Sequence, residues 1–325
     1  MIFESIFGSR DRHEQLYQGI TNPSGAVALN DNLFIVGDDE DNLLRVYDRN
    51  SPEKPLQAIA LSAVFKGIIQ DGEDLEIDLE SAADIEGTVF WIGSHSSSRK
   101  AEYRAARHRL FATKISVGID KKIDISPVGE IYTHLVADLS NDTRFEKYHF
   151  ADAQKIQAKA IGGLSIEGLA STFENGLLIG FRNPLSGGAV KKGRLEKGKA
   201  ILVQLINPFE VIHGVKAKFA DPIELDLGGY GIREITRRKK NKYLIVSGPY
   251  HENNPDKDHK KEEGRLYEWS IKTGKVSVLK NVDLEGFNIE AAIFYPGNVD
   301  RVQLLSDDGT LVDANGFRSL TLDVE

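Results

Sequence analysis

The sequence predicts an all-β protein, a five-bladed β-propeller, with a six-bladed ring as the alternative. Three observations predict it. Apolar runs are short and broken by Gly, Asn and Asp, as in LFIVG, TVFWIG, LLIGF, YLIVSG and VQLLS. Such runs suit strands, and amphipathic runs of helical period are scarce. Each run follows a second short segment, and this two-strand unit occurs five times, which is the mark of a propeller or related array.

The units begin at Ser24, Glu80, Glu167, Glu234 and Glu290. In the first four, the small residue closing the second strand (Gly37, Gly93, Gly180, Ser247) lies 13 positions after the opener. In the fifth the interval is 16, with extra residues around Tyr295-Pro296-Gly297-Asn298. Successive openers are 56, 87, 67 and 56 residues apart. The longest interval is too short for a hidden sixth blade, and its excess falls in loops at Ser94–Arg109 and Asp138–Gly162. Within the latter, Phe150–Ala160 reads as a short helix. Outer strands follow as NLLRVYD, RLFATKI, AILVQLI and RLYEWSI, half-buried by their alternation. The last unit keeps 36 residues, short for a blade, so the segment before Ser24 is expected to complete it and close the ring. No linker-like stretch divides residues 1–325, which read as one domain.

Composition narrows the function. The chain has 325 residues, a net charge of −8, 41% hydrophobic residues and no cysteine. Thiolate metal sites, disulfides and cysteine nucleophiles are excluded. The acidic balance argues against a nucleic-acid partner. No run reaches the roughly 18 apolar residues that span a membrane. The N-terminus lacks a basic stretch followed by an apolar one, so a soluble, cytoplasmic protein is expected. Nucleotide-binding glycine motifs are missing, and Gly93-Ser94-His95-Ser96-Ser97 lacks the last Gly of a nucleophile elbow. Asp38-Asp39-Glu40-Asp41-Asn42 reads as a polar turn.

In a propeller the first strand of each blade lines the central channel, and its opening residue lies on the rim. Ser24, Glu80, Glu167, Glu234 and Glu290 are therefore expected to face one axis. Ionised carboxylates packed there repel, so either some are protonated or a cation neutralises them. A hard ion taking about 6–8 oxygens suits the set, which points to Ca²⁺ with these five residues as ligands. The alternative is that each Glu accepts backbone N–H bonds and locks adjacent blades. Two loops on the same face, Ser94–Arg109 and Arg182–Lys199, carry net charges of +4 and +5, which suits a small anionic ligand. A third, Gly248–Arg265, reads as a flap.

Glu80–Ser98 (ESAADIEGTVFWIGSHSSS), Ile166–Pro184 (IEGLASTFENGLLIGFRNP), Leu225–Glu234 (LDLGGYGIRE) and Tyr243–Pro249 (YLIVSGP) closely resemble a bacterial family known as domain of unknown function 3616. That resemblance implies a relative without implying a mechanism. Single blades are also similar to calcium-activated nucleotidases (apyrases), notably SGAVALNDNLFIVGDD. This second resemblance implies axial Ca²⁺ held by Glu and Ser residues that open inner strands; Glu80, Glu167 and Glu290 match such positions, whereas a Ser would be expected at Glu234. The functional expectation is a Ca²⁺-containing hydrolase of a small anionic ester, with Arg182 and His95 as candidates for anion binding or proton transfer. The competing expectation is a non-catalytic propeller that binds a protein or small ligand, its metal structural or absent.

Overall fold

The computed structural model describes residues 13–65, 69–70, 73–188, 190–191, 194–195, 197–250, 264–280, 282–307 and 316–324. Five four-stranded antiparallel sheets form the blades. Blade one is β2 (Pro23–Ala28), β3 (Leu33–Asp38), β4 (Leu43–Asp48) and β5 (Gln57–Ala60). A helical turn, α1 (Leu61–Val64), and a small hairpin, β6 (Ile69–Gln70) with β7 (Glu73–Asp74), lead to blade two. That blade is β8 (Leu79–Ile85), β9 (Thr88–Gly93), β10 (Leu110–Val117) and β11 (Ile123–Tyr132). Two short helices, α2 (Leu135–Ser140) and α3 (Phe150–Ala153), precede blade three. Blade three is β12 (Ser165–Ser171), β13 (Leu177–Asn183), β16 (Ala200–Leu205) and β17 (Ile223–Leu225); it carries the small pair β14 (Val190–Lys191) and β15 (Arg194–Leu195), and α4 (Pro208–Val211). Blade four is β18 (Gly231–Lys239), β19 (Lys242–Gly248), β20 (Arg265–Ser270) and β21 (Val276–Val278). Blade five is β22 (Ile289–Tyr295), β23 (Asn298–Ser306), β24 (Gly316–Asp323) and β1 (His13–Gln18).

The outer strand of blade five comes from the other end of the chain, and its register runs from His13 opposite Thr321 to Gln18 opposite Gly316. The inner strands touch in the order β2, β8, β12, β18, β22 and back to β2, which makes a closed ring around an axis. Branched and aromatic residues on the blade faces fill the wedges between neighbours. The hydrophobic core accordingly falls into five clusters, one per seam. The seam between blades five and one holds Tyr17, Phe34, Tyr47 and Phe317, with Tyr17 stacked on Phe317 at 5.1 Å and edge-on to Phe34 and Tyr47.

The helix expected over 150–160 is shorter. It ends at Ala153, and three-residue turns carry Lys155 N–H to Asp152 O and Ile156 N–H to Ala153 O. The chain must then fold back, because Gly163 packs so tightly on Gln157 O that a Cβ there would stand 2.0 Å from it. Among the described residues no helix is long and apolar enough to cross a membrane. Of the expected flap, residues 251–263 lie outside the described set.

Candidate functional site

All five inner strands start at the same end of the channel, and all five carry a β-bulge in their first turns of pairing. A bulge places two residues of one strand opposite one of its partner and re-aims the extra side chain. Register breaks between Ser24 and Ala26, Leu79 and Ser81, Ile166 and Gly168, Ile232 and Glu234, and Ile289 and Ala291. The equivalent bulge residues are therefore Gly25, Glu80, Glu167, Arg233 and Glu290.

This corrects the sequence alignment by one residue in blades one and four. Ser24 and Glu234 are not members of the ring; Gly25 and Arg233 are. The constant 13-residue offset misled because the spacing from the bulge to the residue that closes the second strand varies: Gly25 to Gly37 is 12 positions in blade one, and Arg233 to Ser247 is 14 in blade four. A better guide was available in the buried apolar residue before each bulge: Leu79, Ile166, Ile232 and Ile289. Alignment on those four residues puts Arg233 in register with the three glutamates.

Arg233 is the centre of the ring. Its Nε stands 3.1 Å from Glu167 Oε2, and its Nη2 pairs with Glu290 Oε1. Glu167 is 3% exposed and is also held from its other side by Arg182, with Nη1 2.7 Å from Oε1. Burial alone would raise the Glu167 pKa; the Arg182 and Arg233 guanidiniums overcome it and hold the carboxyl below the usual range. Arg182 also donates from Nε to Pro249 O at 3.1 Å. It thus points into the channel mouth, where Glu167 and a backbone carbonyl engage it. Gly25 is small by necessity, since a Cβ there would meet Ser81 Cα at 2.9 Å.

The residues directly after the bulges form a second layer: Ala26, Ser81, Gly168, Glu234 and Ala291. Four are small and one is a buried acid. Glu234 reaches across to blade two, where Ser81 Oγ donates to Oε2 at 3.0 Å; its own Ile235 N–H donates to Oε1 at 2.8 Å. Ser81 in turn accepts from Leu169 N–H. Burial drives the Glu234 pKa well above the ordinary value despite these bonds. Ser24 is committed to the neighbouring blade through its donation to Leu79 O.

Glu80 differs from the other ring acids. No side-chain hydrogen bond reaches it among the described residues. Burial first, then Glu167, Asp78 and Asp39, raise its pKa well above the usual value. Asp39 stands on the turn after β3; its Oδ1 is buried with no hydrogen-bond partner among the described residues. Burial, reinforced by Asp78 and Asp38, pushes it up to about 8. Asp38 accepts from Glu40 N–H, and Asp41 accepts from Leu43 N–H while gripping Arg45 at 2.6 Å, which makes 38–42 the polar turn expected. Asp78 is satisfied on one oxygen by Arg107 Nη1 at 2.9 Å, with Ser94 and Ser96 donating to the same atom. The mouth is thus acidic toward blades one and two, and its guanidiniums are engaged by carboxylates.

His95 does not sit as a proton shuttle. It is 0% exposed, its Nδ1 lies 2.8 Å from Gly93 O, and its ring packs edge-on to His108. Burial, then His108, lowers its pKa to about 3, and burial lowers that of His108 to about 4. Unfolded histidines would take up protons near pH 6.5. Stability contributed by the neutral pair is therefore present above that pH and lost as pH falls toward about 4 and then about 3. Urea midpoints measured from pH 7 down to pH 4 should drop, and drop less in a His95→Gln, His108→Gln variant; parallel curves would refute the assignment.

The five residues expected to hold Ca²⁺ do not fit a common ion. Ser24 and Glu234 are each bonded to blade two, through Leu79 O and Ser81, and Arg233 lies between Glu167 and Glu290. Among the described residues no three acidic or histidine side chains converge into a metal cage.

Comparison with known proteins gives a family and a fold. The sequence profile of the family described as "Protein of unknown function (DUF3616)" matches residues 22–116 and 128–256. No curated protein matches the chain in sequence. Among solved structures, glutaminyl cyclase from Myxococcus xanthus is similar over 97% of this chain and 98% of that one, at 12% identity and a TM-score of 0.45. The PQQ-bound aldose sugar dehydrogenase from Streptomyces coelicolor gives 97%, 98%, 12% and 0.42. MPT-4, a mannose phosphorylase from Leishmania mexicana in complex with phosphate ion, gives 95%, 84%, 11% and 0.41. Likeness at this level carries no argument about what this chain does.

Proposed function

The chain belongs to the DUF3616 family, and on that premise we propose that it is a ligand-binding propeller whose channel mouth takes a small organic cation. The observation that carries this reading is Asp39, whose buried Oδ1 has no hydrogen-bond partner among the described residues, beside Glu80, whose carboxyl is raised by burial and by its acidic neighbours. Two acids raised first by burial and then by neighbouring carboxylates, Asp78 among them, gain most from an added positive charge. An ammonium group suits them better than a hard metal ion. It donates to carboxylates one at a time through three N–H groups, whereas Ca²⁺ wants about 6–8 oxygens drawn tightly together. The second-layer acid Glu234, its pKa raised by burial and its neighbours in the layer small, forms the floor. Binding is favoured over ester hydrolysis because His95 is sealed on Gly93 and His108, and Arg182 is engaged by Glu167.

The test is a calorimetric panel of ethanolamine, choline, putrescine and Ca²⁺ against the full chain. At least one amine should bind, and Asp39→Asn or Glu80→Gln should weaken it by about tenfold or more, the scale of one charge-assisted bond. Since Asp39 is protonated below about pH 8, affinity should rise as pH is raised from 6 to 9, with proton release on binding. Absence of amine binding, or unchanged binding by both variants, refutes the proposal.

A further inference from the structure

We infer that a cleft beside the outer strands of blade three, between the α2 crossover and the connection from β16 to β17, binds a small anionic polyol, a sugar acid or a sugar phosphate. The inference is independent of the amine reading, which concerns the channel mouth.

The cleft holds about 420 Å³, near the lower end of the volumes that small-molecule sites occupy. One wall is the end of α2 with the turn after it, from Asp138 to Arg144; the other runs from Lys216 to Phe219. Both walls are fixed from behind. Arg144 spans them: its Nε and Nη2 grip Asp142 at 3.0 and 2.6 Å, Nη2 also donates to Phe219 O at 2.9 Å, and Nη1 stands 3.2 Å from Asp221. Phe145, on the same turn, packs edge-on to Phe219 at 5.7 Å. Asn207 clamps the second wall, accepting from Lys218 N–H at 2.8 Å and donating to Lys216 O at 3.1 Å. Tyr132 donates to Asp138 Oδ2 at 2.6 Å. Walls tied in this way are in place before a ligand arrives, which lowers the ordering cost of binding.

What these bonds leave over defines the ligand. Lys218 pairs with Glu210 at 3.1 Å, and Arg144 is spent on the partners just named. Lys216 is exposed, and its ammonium makes no ion pair among the described residues. It adds only a long-range attraction to Asp142, both of whose oxygens Arg144 already occupies. The amide of Asn141 and the hydroxyl of Thr143 likewise form no side-chain hydrogen bond among the described residues, and Asp138 keeps Oδ1. The cleft thus offers one positive charge, an amide and a hydroxyl that both donate and accept, and a carboxylate oxygen that only accepts. One anionic group on the ligand answers Lys216. Hydroxyls answer the rest, because each donates and accepts at once. A bare anion would meet Asp138 as a like charge, and an acid with an apolar body would leave the polar groups unpaired. Ala217 and Phe219 barely reach the surface and give the wall a small apolar strip for the C–H edge of a sugar ring.

The experiment titrates D-glucuronate, glucose 6-phosphate, D-glucose, acetate and inorganic phosphate into the full chain by calorimetry, alongside Lys216→Met, Asn141→Ala, Lys197→Met and Asp39→Asn. At least one of the two anionic sugars should bind, and the tighter of them identifies the acid group. Glucose, acetate and phosphate should each bind at least about tenfold more weakly, since each lacks one half of the recognition. Lys216→Met should bring the anionic sugar down to the affinity of glucose, and Asn141→Ala should weaken it about fivefold. Both positions are exposed, so melting temperatures should stay at the wild-type value. Lys197→Met removes an exposed lysine outside the cleft, and Asp39→Asn alters the channel mouth; neither should change sugar binding. The inference is overturned if neither anionic sugar binds the wild type, if acetate or phosphate binds as tightly as the sugar, if Lys216→Met binds unchanged, or if Lys197→Met loses as much as Lys216→Met.

Discussion

Glu167→Gln is expected to be among the most damaging single substitutions in this chain. The change keeps shape and removes one charge, yet it strips two guanidiniums of their shared partner at a site where Glu167 is 3% exposed. Arg182 would retain Pro249 O, and Arg233 would retain Glu290. Loss of one member from a buried, hydrogen-bonded ion network typically destabilises by about 3–5 kcal/mol, because the remaining charge is left buried without compensation. Glu290→Gln should do less, since Arg233 would still hold Glu167. Chemical denaturation of both variants gives the comparison. Equal and small effects would mean that the ring is solvated and that its ion pairs contribute little.

Tyr17→Ala should be comparably severe for a different reason. Tyr17 is the fully buried residue of β1, and it packs on Phe317, Phe34 and Tyr47, which belong to both blades that meet at the closure. Removing a buried aromatic costs about 3–5 kcal/mol through lost burial and the cavity left behind. Its hydroxyl accepts from Gln303 Nε2 at 3.1 Å, so Tyr17→Phe isolates the polar part and should cost only about 0.5–1.5 kcal/mol. Trypsin sensitivity of the β1 segment should rise in Tyr17→Ala and stay near wild type in Tyr17→Phe. A Tyr17→Ala protein as stable as wild type would show that the closure does not depend on this seam.

Blade count was legible because it is written in apolar periodicity, which five pairs of buried strands repeat. The three ring glutamates were legible for a related reason: each follows a buried Leu or Ile at a strand start. Arg233 escaped because a bulge is a property of backbone pairing and has no residue signature of its own, while unequal spacing from the bulge to the end of the second strand shifts any count made from there. Asp39 and Asp78 escaped for a more basic reason. They lie on connections 39 positions apart in the chain; Asp78 is two positions before Glu80, and only the packing of blade one against blade two brings Asp39 to both. His95 was legible as a residue that follows a second strand and illegible as a buried one, since its burial comes from His108 and the folded loop around it.

His13 pairs with Thr321, 308 positions further along the chain. A strand made early thus waits for a partner made late. Until β24 arrives, β1 has no sheet to join, and the aromatic face of blade one that should meet blade five stays uncovered. Loop-closure entropy for so long a separation grows only logarithmically, so the delay matters more for timing than for final stability. During synthesis the first blade must persist with an open side, where a second nascent chain's β24 offers the same pairing as its own. The geometry that seals the finished ring is, for the unfinished one, an invitation to exchange strands between molecules.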